Sequence, residues 1–326
     1  LIILPELVRE VAPAKDLAAL LKLARMMQAG GYTIVHTHSS KAGILGRLAA
    51  RLAGVPVIVH TVHGWSFHDH MPALTRRIYI ALERLCASLS HALITVAGQD
   101  IEKGLRAGIG VRSQYHLIRS AIPLESFEPA HYDRAAIRRE LGLPQDGLVL
   151  GNVGRFSAQK NPLDWVRVAG QVGRRMPDVR FLLVGDGPLR PQVSAALAEQ
   201  GIADRTILTG LRRDVPRMLA AMDVFLLTSL WEGLPRVIPQ AMAMGIPVVA
   251  NTADGTVEAV RHGETGYLCT PGDLPQMSAL CVELLGDPER RGTFGRAARE
   301  IAMQEFDVHR MVSQIAGLYT NLLERR

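Results

Sequence analysis

The sequence predicts an α/β protein made of two doubly wound parallel-sheet units. Three observations carry this. Short continuous apolar runs alternate with stretches of helical period almost throughout. The alternation breaks once, at a Pro-rich polar stretch over 120–133. The chain has 326 residues and is 48% hydrophobic, enough for two cores of ordinary size.

The elements follow in order. "LIILPEL" leads into a helix at 15–29. Strands are expected at 32–38, 55–62 and 91–97, each too apolar to be half-exposed. Helices at 41–54 and 73–90 fit between them, with apolar residues three and four apart. This first unit reads as incomplete at its start, because no opening strand runs into a glycine-rich turn. Residues 120–133 read as an interdomain linker. The second series places strands at 147–154, 178–185, 205–210, 222–229 and 246–251, with helices at 162–176, 188–200 and 213–221. The amphipathic segment 307–325 reads as a closing helix. The expected domains are thus 1–125, 126–306, and a final helix over 307–326 returning to the first domain. No repeat or low-complexity stretch is present.

Composition excludes several classes. Cys86, Cys269 and Cys281 are odd in number and far apart, so neither a disulfide framework nor a CxxC pair is expected, which suits a reducing compartment. No apolar run reaches the ~18–20 residues of a membrane span and no signal peptide is seen, so the expected location is cytoplasmic. Residues 1–130 hold 14 basic and 9 acidic side chains, a balance of +5, against +1 for the rest. That asymmetry points to phosphorylated substrates or an anionic membrane surface at the inner face of the plasma membrane. Basic residues are spread rather than clustered and no nucleic-acid motif occurs, so nucleic acid is not expected as a partner.

Ligands of open parallel sheets collect at the carboxyl ends of strands, so residues just after strands are informative. In "VGRFSAQKN", Gly154 permits a tight turn, and Arg155 and Lys160 flank a loop that enters a helix at Asn161-Pro162. Two cations beside a helix start suit a diphosphate; the bland alternative is two solvated charges. "VGDGP" (184–188) lacks the third glycine of a dinucleotide fingerprint, Arg190 standing in its place, and reads as a tight turn. "TSLWEGLPRVIPQ" leaves a buried strand through Glu232 and Gly233. Pro239 confines the helix start to 235–239, because it lacks an N–H. Gln240 then leans back toward Glu232, and amides near Leu234 face the same way. The alternatives are a capping carboxylate and a surface glutamine. "HTVHGWSFHDH" (60–70) holds four of 11 histidines at spacings that match no helical metal pair, so one histidine at a substrate cleft is the better reading and no metal is expected. Ser39, Ser40 and Lys41 form either another anion site or an ordinary cap with a surface lysine. No DxD, Walker or GxSxG motif occurs.

Jointly and in order, "VGRFSAQKN", "FLLVGDGP", "ILTGLRRDV", "MDVFLLTSLWEGLPRVIPQAMAMGIPVVA" and "GETGYLCTPGD" resemble glycosyltransferase family 4. "VHTHSSKAGILGRLAARLAGVPVIVHTVHGWSFHDH" resembles its capsular and exopolysaccharide subgroup. The resemblance implies the GT-B fold, two Rossmann-like domains facing a cleft, without the family's opening strand and glycine-rich loop. It implies retaining transfer from a nucleotide-diphosphate sugar, UDP-sugar foremost, to a lipid-linked or glycan acceptor, with no cofactor or metal. Arg155 and Lys160 would neutralise the diphosphate. Glu232 would contact the donor sugar, helped by the amides of Gly233 and Leu234. His63 would sit beside the reacting sugar, and Gly210 and Leu211 near the base. Gln240 stands where the family has a glutamate on the ribose; an amide still binds a diol, with less charge assistance. Ser39, Ser40, Lys41, Gly64 and Trp65 are the acceptor-side candidates. Two competing readings are another GT-B enzyme, such as a nucleotide-sugar epimerase, and a truncated, non-catalytic nucleotide-sugar binder.

Overall fold

The computed structural model describes every residue except Arg9, His68, Asp69, His70 and Arg326. His68 and His70 of the histidine-rich stretch therefore lie outside the described residues. The chain forms two compact units, residues 1–119 with 311–326, and residues 120–310. The divisions fall a few residues from the expected 125 and 306.

Unit 1 carries helices α1 (Pro13–Gly30), α2 (Ser40–Leu52), α3 (Ala73–Ser88) and α4 (Gly98–Arg106). They alternate with strands β1 (Ile34–His38), β2 (Val57–Val62), β3 (Ala92–Thr95) and β4 (Tyr115–Leu117). The sheet is parallel in the order β1-β2-β3-β4. Every residue of β2 and β3 is buried, His60 and Thr61 included, whereas β1, expected to be buried as well, is mostly half-buried with His38 exposed. The register sets His38 opposite Thr61, so the polar ends "HTH" and "HTV" emerge side by side.

Unit 2 carries α5 (Arg134–Glu140), β5 (Val149–Val153), α6 (Pro162–Arg175), β6 (Arg180–Val184), α7 (Arg190–Glu199) and β7 (Thr206–Leu208). Then come α8 (Val215–Ala220), β8 (Val224–Leu227), α9 (Val237–Ala243), β9 (Val248–Asn251), α10 (Thr256–Ala259) and β10 (Gly266–Cys269). Helices α11 (Leu274–Gly286) and α12 (Pro288–Glu305) complete it. Its parallel sheet runs β10-β9-β8-β5-β6-β7. The strand order reverses at β5, which makes the carboxyl end of β5 the switch point where such sheets take ligands. Trp165, Phe181 and Leu226 pack with Met277 and Leu284 in one apolar core that joins the sheet to α6 and α11.

The stretch 120–133 is no exposed linker. It belongs to unit 2 and coils into short 3-10 turns at Leu124–Phe127 and Pro129–His131. Ile122 is fully buried; its N–H donates to the Phe306 carbonyl at 2.9 Å. The last helix, α13 (Val308–Glu324), lies on unit 1, where Leu318, Met311 and Ile315 cover Val57, Val59, Ala92 and Ile94.

Candidate functional site

In unit 2 three loops are laced together at the switch point. The loop after β5 is held by the Gly154 N–H to the Val184 carbonyl at 2.9 Å. Gly185, at φ 139°, presses so close that a Cβ would stand 1.9 Å from the Gly154 oxygen, so no other residue fits. The Leu230 N–H donates to the Gln159 carbonyl, and the Gln159 side chain donates to the Trp231 carbonyl at 3.0 Å. Thr228 Oγ1 donates to the Asn161 carbonyl at 2.9 Å. The loops after β5 and β8 therefore form one framework, which Asn251 extends to β9 by donating to the Thr228 carbonyl at 3.0 Å.

Within that framework Lys160 forms an ion pair and hydrogen bond with Glu232 Oε1. The Glu232 side chain is only 7% exposed, so its carboxylate needs that partner. The Glu232 N–H donates to Asp254 Oδ2 at 2.9 Å, fixing the residue from its other end. The two expected cations are therefore unequal. Lys160 is committed to Glu232, whereas Arg155 is exposed and, among the described residues, its side chain has no ion-pair partner. Arg155, Gly154 and Leu211 line a cavity of about 300 Å³ with Gly185, Asp186 and Arg212. Gly210, at φ 70°, accepts the Gly185 N–H at 2.9 Å and so places Leu211 at that rim. Gly233 and Leu234 are buried in the turn between β8 and α9, and Gln240 lies half-buried in α9.

Asn161 occupies the cap position of α6 as expected, but in the left-handed region and without capping through its side chain, which donates to Asp164 at 2.6 Å. Ser39 precedes α2 likewise at φ 59° with no side-chain cap, so the ordinary-cap reading of Ser39 does not hold. Among the described residues the non-glycine residues at positive φ are Ser39, Asn161 and Asp254, all on loops that follow strands. Such strained backbone is held only where surroundings over-determine it, and it gathers at functional sites.

In unit 1 the ends of β1 and β2 gather histidines. His63 is exposed, and its Nε2 lies 3.0 Å from His38 Nδ1 with the rings stacked. His36 bonds Thr61 Oγ1 at 2.7 Å and the Tyr319 hydroxyl of α13 at 2.5 Å. Burial lowers its pKa to about 4, with smaller contributions from His38 and His63. Burial likewise lowers His38 and pushes buried His60 far below its ordinary range. These rings stay neutral near pH 7. Ser39, Ser40, His63, Gly64 and Trp65 line a cavity of about 200 Å³. Lys41 does not join them: its ammonium pairs with Asp16 and donates to the Glu10 carbonyl, so the anion site imagined for it is already satisfied by α1. Trp65 is a wall rather than an open platform, buried against Phe67 with its indole N–H on the Asp100 carbonyl at 2.7 Å.

Two residues of these clusters escaped the sequence reading. Asp254 follows β9 in "NTADG", so the rule that located Glu232 points to it as well. Glu83 lines the unit 1 cavity from mid-helix, where sequence gives no signal.

Comparison with known proteins adds two family matches. Residues 147–287 match glycosyl transferases group 1, and residues 3–120 match the glycosyl transferase 4-like domain. The chain is 33% identical to the UDP-Gal:alpha-D-GlcNAc-diphosphoundecaprenol alpha-1,3-galactosyltransferase of Escherichia coli, over 98% of this chain and 83% of that one. It is 28% identical to the N-acetyl-alpha-D-glucosaminyl L-malate synthase of Bacillus anthracis, over 95% and 80%. The crystal structure of Anabaena Alr3699/HepE in complex with UDP superposes with a TM-score of 0.81 at 26% identity, covering 93% of this chain and 82% of that one.

Proposed function

Because the chain belongs to the family 4, group 1 glycosyltransferases, we propose that it moves a sugar from a UDP-sugar to a lipid-linked or glycan acceptor in surface polysaccharide assembly. The single observation that carries the site assignment is the Lys160–Glu232 pair at the switch point of unit 2. The E. coli relative's undecaprenol-linked acceptor and the UDP complex of the Anabaena protein support the two substrate classes.

In this reading the diphosphate takes Arg155 and the amides of Gly233 and Leu234. Glu232, steadied by Lys160, faces the donor sugar, Gln240 takes the ribose, and Gly210 and Leu211 border the base. The family resemblance assigns His63 of unit 1 to the reacting sugar. Transfer retains configuration by attack on the face the diphosphate leaves, and the cations do the charge work a divalent metal does elsewhere.

Calorimetry tests the donor assignment. Arg155→Ala should weaken UDP binding about 10- to 100-fold, the worth of one charge-assisted bond, and Lys160→Ala, whose ammonium is held by Glu232, clearly less, while uridine binding changes little in either. Lys160→Ala should also lower turnover, because it releases Glu232, and Arg155→Ala should lower it too, because Arg155 stabilises the charge on the departing diphosphate. Equal losses for uridine and UDP would show both residues to be merely structural.

We also propose that unit 1 rests on an anionic membrane surface through α3. No helix among the described residues is long and apolar enough to cross a membrane. However, Leu74, Ile78 and Leu85 are 71%, 52% and 52% exposed, spaced along one face of α3 with Arg77 and Arg84 between them. The chain should co-sediment with phosphatidylglycerol vesicles at low salt and release at high salt. Ile78→Glu should abolish sedimentation; sedimentation unaffected by that change would remove α3 from the interface.

A further inference from the structure

We infer that His38 is a positioning residue: its Nδ1 holds the Nε2 edge of His63 and so fixes the orientation and tautomer in which His63 meets the reacting sugar. This rests on the role proposed for His63 above and deepens it.

Strand alternation sets the arrangement up. Side chains two apart share a face of a strand, and residues paired across parallel strands point the same way. His36 and His38 of β1 therefore share a face with Val57, Val59 and Thr61 of β2, and His63 follows in the same phase. Helix α13 covers that face, where Leu318 packs with Val57 and Val59. His60 has the opposite phase, and it bonds Thr37 on the other side of the sheet at 2.9 Å. The row beneath α13 is closely defined. The Tyr319 hydroxyl and Thr61 Oγ1 hold the two nitrogens of His36 at 2.5 and 2.7 Å. The His36 ring lies against the His38 ring, with centroids 4.3 Å apart. His38 Nδ1 then reaches His63 Nε2 at 3.0 Å, with the ring planes 26° apart and the centroids 5.3 Å apart. The two rings are offset along their planes, so an N–H of one can align with a lone pair of the other.

This geometry acts on His63. An exposed side chain ordinarily exchanges rotamers within nanoseconds, and His63 is exposed. A reacting group needs one orientation, because small misplacements are costly at a reacting centre. His36 and His38 are neutral near pH 7, since desolvation lowers both. Neutral His38 presents either an N–H or a lone pair at Nδ1, and His63 must present the complement at Nε2. That pairing sets where His63 carries its proton. His38 is steadied on its face by His36, and His36 by α13, so the last helix of the chain supports the histidine that the sugar would meet.

The experiment uses the full chain and follows UDP release from saturating UDP-galactose or UDP-glucose. His38→Leu should lower kcat about 10- to 100-fold, the cost of a misplaced reacting group, while the affinity for UDP stays within about twofold of native. His38→Asn, whose amide stands near the place of Nδ1 and both donates and accepts, should recover most of the loss. Long-range ¹H–¹⁵N correlation spectra of the ¹⁵N-histidine-labelled, UDP-bound chain supply a second readout that a merely structural role would not move. His63 should show one tautomer in the native chain and in His38→Asn, and a mixture in His38→Leu. A kcat in His38→Leu within threefold of native, no recovery in His38→Asn, a UDP affinity that falls in step with kcat, or a mixed tautomer of His63 in the native chain would each overturn the proposal. A native kcat in His63→Ala would instead overturn the role of His63 beneath it. Should the native chain release UDP from neither donor, the spectra alone decide whether His38 fixes His63.

Discussion

Glu232→Ala is expected to lower kcat by about two to three orders of magnitude, the range seen when one preorganised electrostatic group is removed from a reacting centre. The affinity for UDP should change less than about threefold, because the carboxylate faces the sugar rather than the diphosphate in the proposed arrangement. A contact that strengthens only as the sugar develops charge acts on turnover and not on binding. Lys160 loses its partner in this variant, and an ammonium freed near an anionic ligand tightens nucleotide binding rather than weakening it. Initial rates at saturating donor and calorimetry with UDP measure the two quantities separately. A kcat within fivefold of native, or a rise in Kd that parallels the fall in kcat, would remove Glu232 from the reacting centre.

Arg47→Ala should destabilise the chain by about 3–5 kcal/mol, the cost of stranding one member of a buried ion pair. The pair is dry, with side chains 0% and 3% exposed and 2.7 Å between Arg47 Nη2 and Glu83 Oε2. Arg47 also ties α2 internally, its Nε donating to the Gly43 carbonyl at 3.0 Å. Urea unfolding followed by circular dichroism supplies the measurement. The paired change Arg47→Met with Glu83→Met removes both charges and should cost far less than either alone. A loss below about 1 kcal/mol in Arg47→Ala would mean that Glu83 finds water or another partner.

Most strands and most of the long helices, though not α11 or α12, were legible because their apolar runs are continuous or of helical period. β4 and β10 were not. "YHL" and "GYLC" are too short to declare a period, and each becomes a strand only because a neighbour, β3 or β9, offers an edge. The stretch 120–133 misled because its prolines and polar residues look like a linker. The long-range pairing of Ile122 with Phe306 and Asp307, which buries it, leaves no local trace. In the candidate site, the placement of Glu232 on a strand-to-helix turn was readable from glycine and proline positions. That Lys160 would be committed to Glu232 and Lys41 to Asp16 was not, since both pairings bridge segments remote in sequence. Trp65 shows the same limit: its composition suits sugar stacking, yet the Asp100 carbonyl and Phe67 claim it for the core.

The chain order of the two units has a consequence for synthesis. Unit 1 is completed by residues 311–326, which follow the whole of unit 2. At ~5–20 residues per second, roughly 10–40 s separate translation of Arg119 from that of Met311. Throughout that interval Val57, Val59, Ala92 and Ile94 wait for the cover that α13 later supplies. A nascent chain with this layout exposes an apolar sheet face while its second unit is already able to fold. That makes it a natural client for holding chaperones on the ribosome, and it makes shortening of α13 a lesion of yield before it is a lesion of activity.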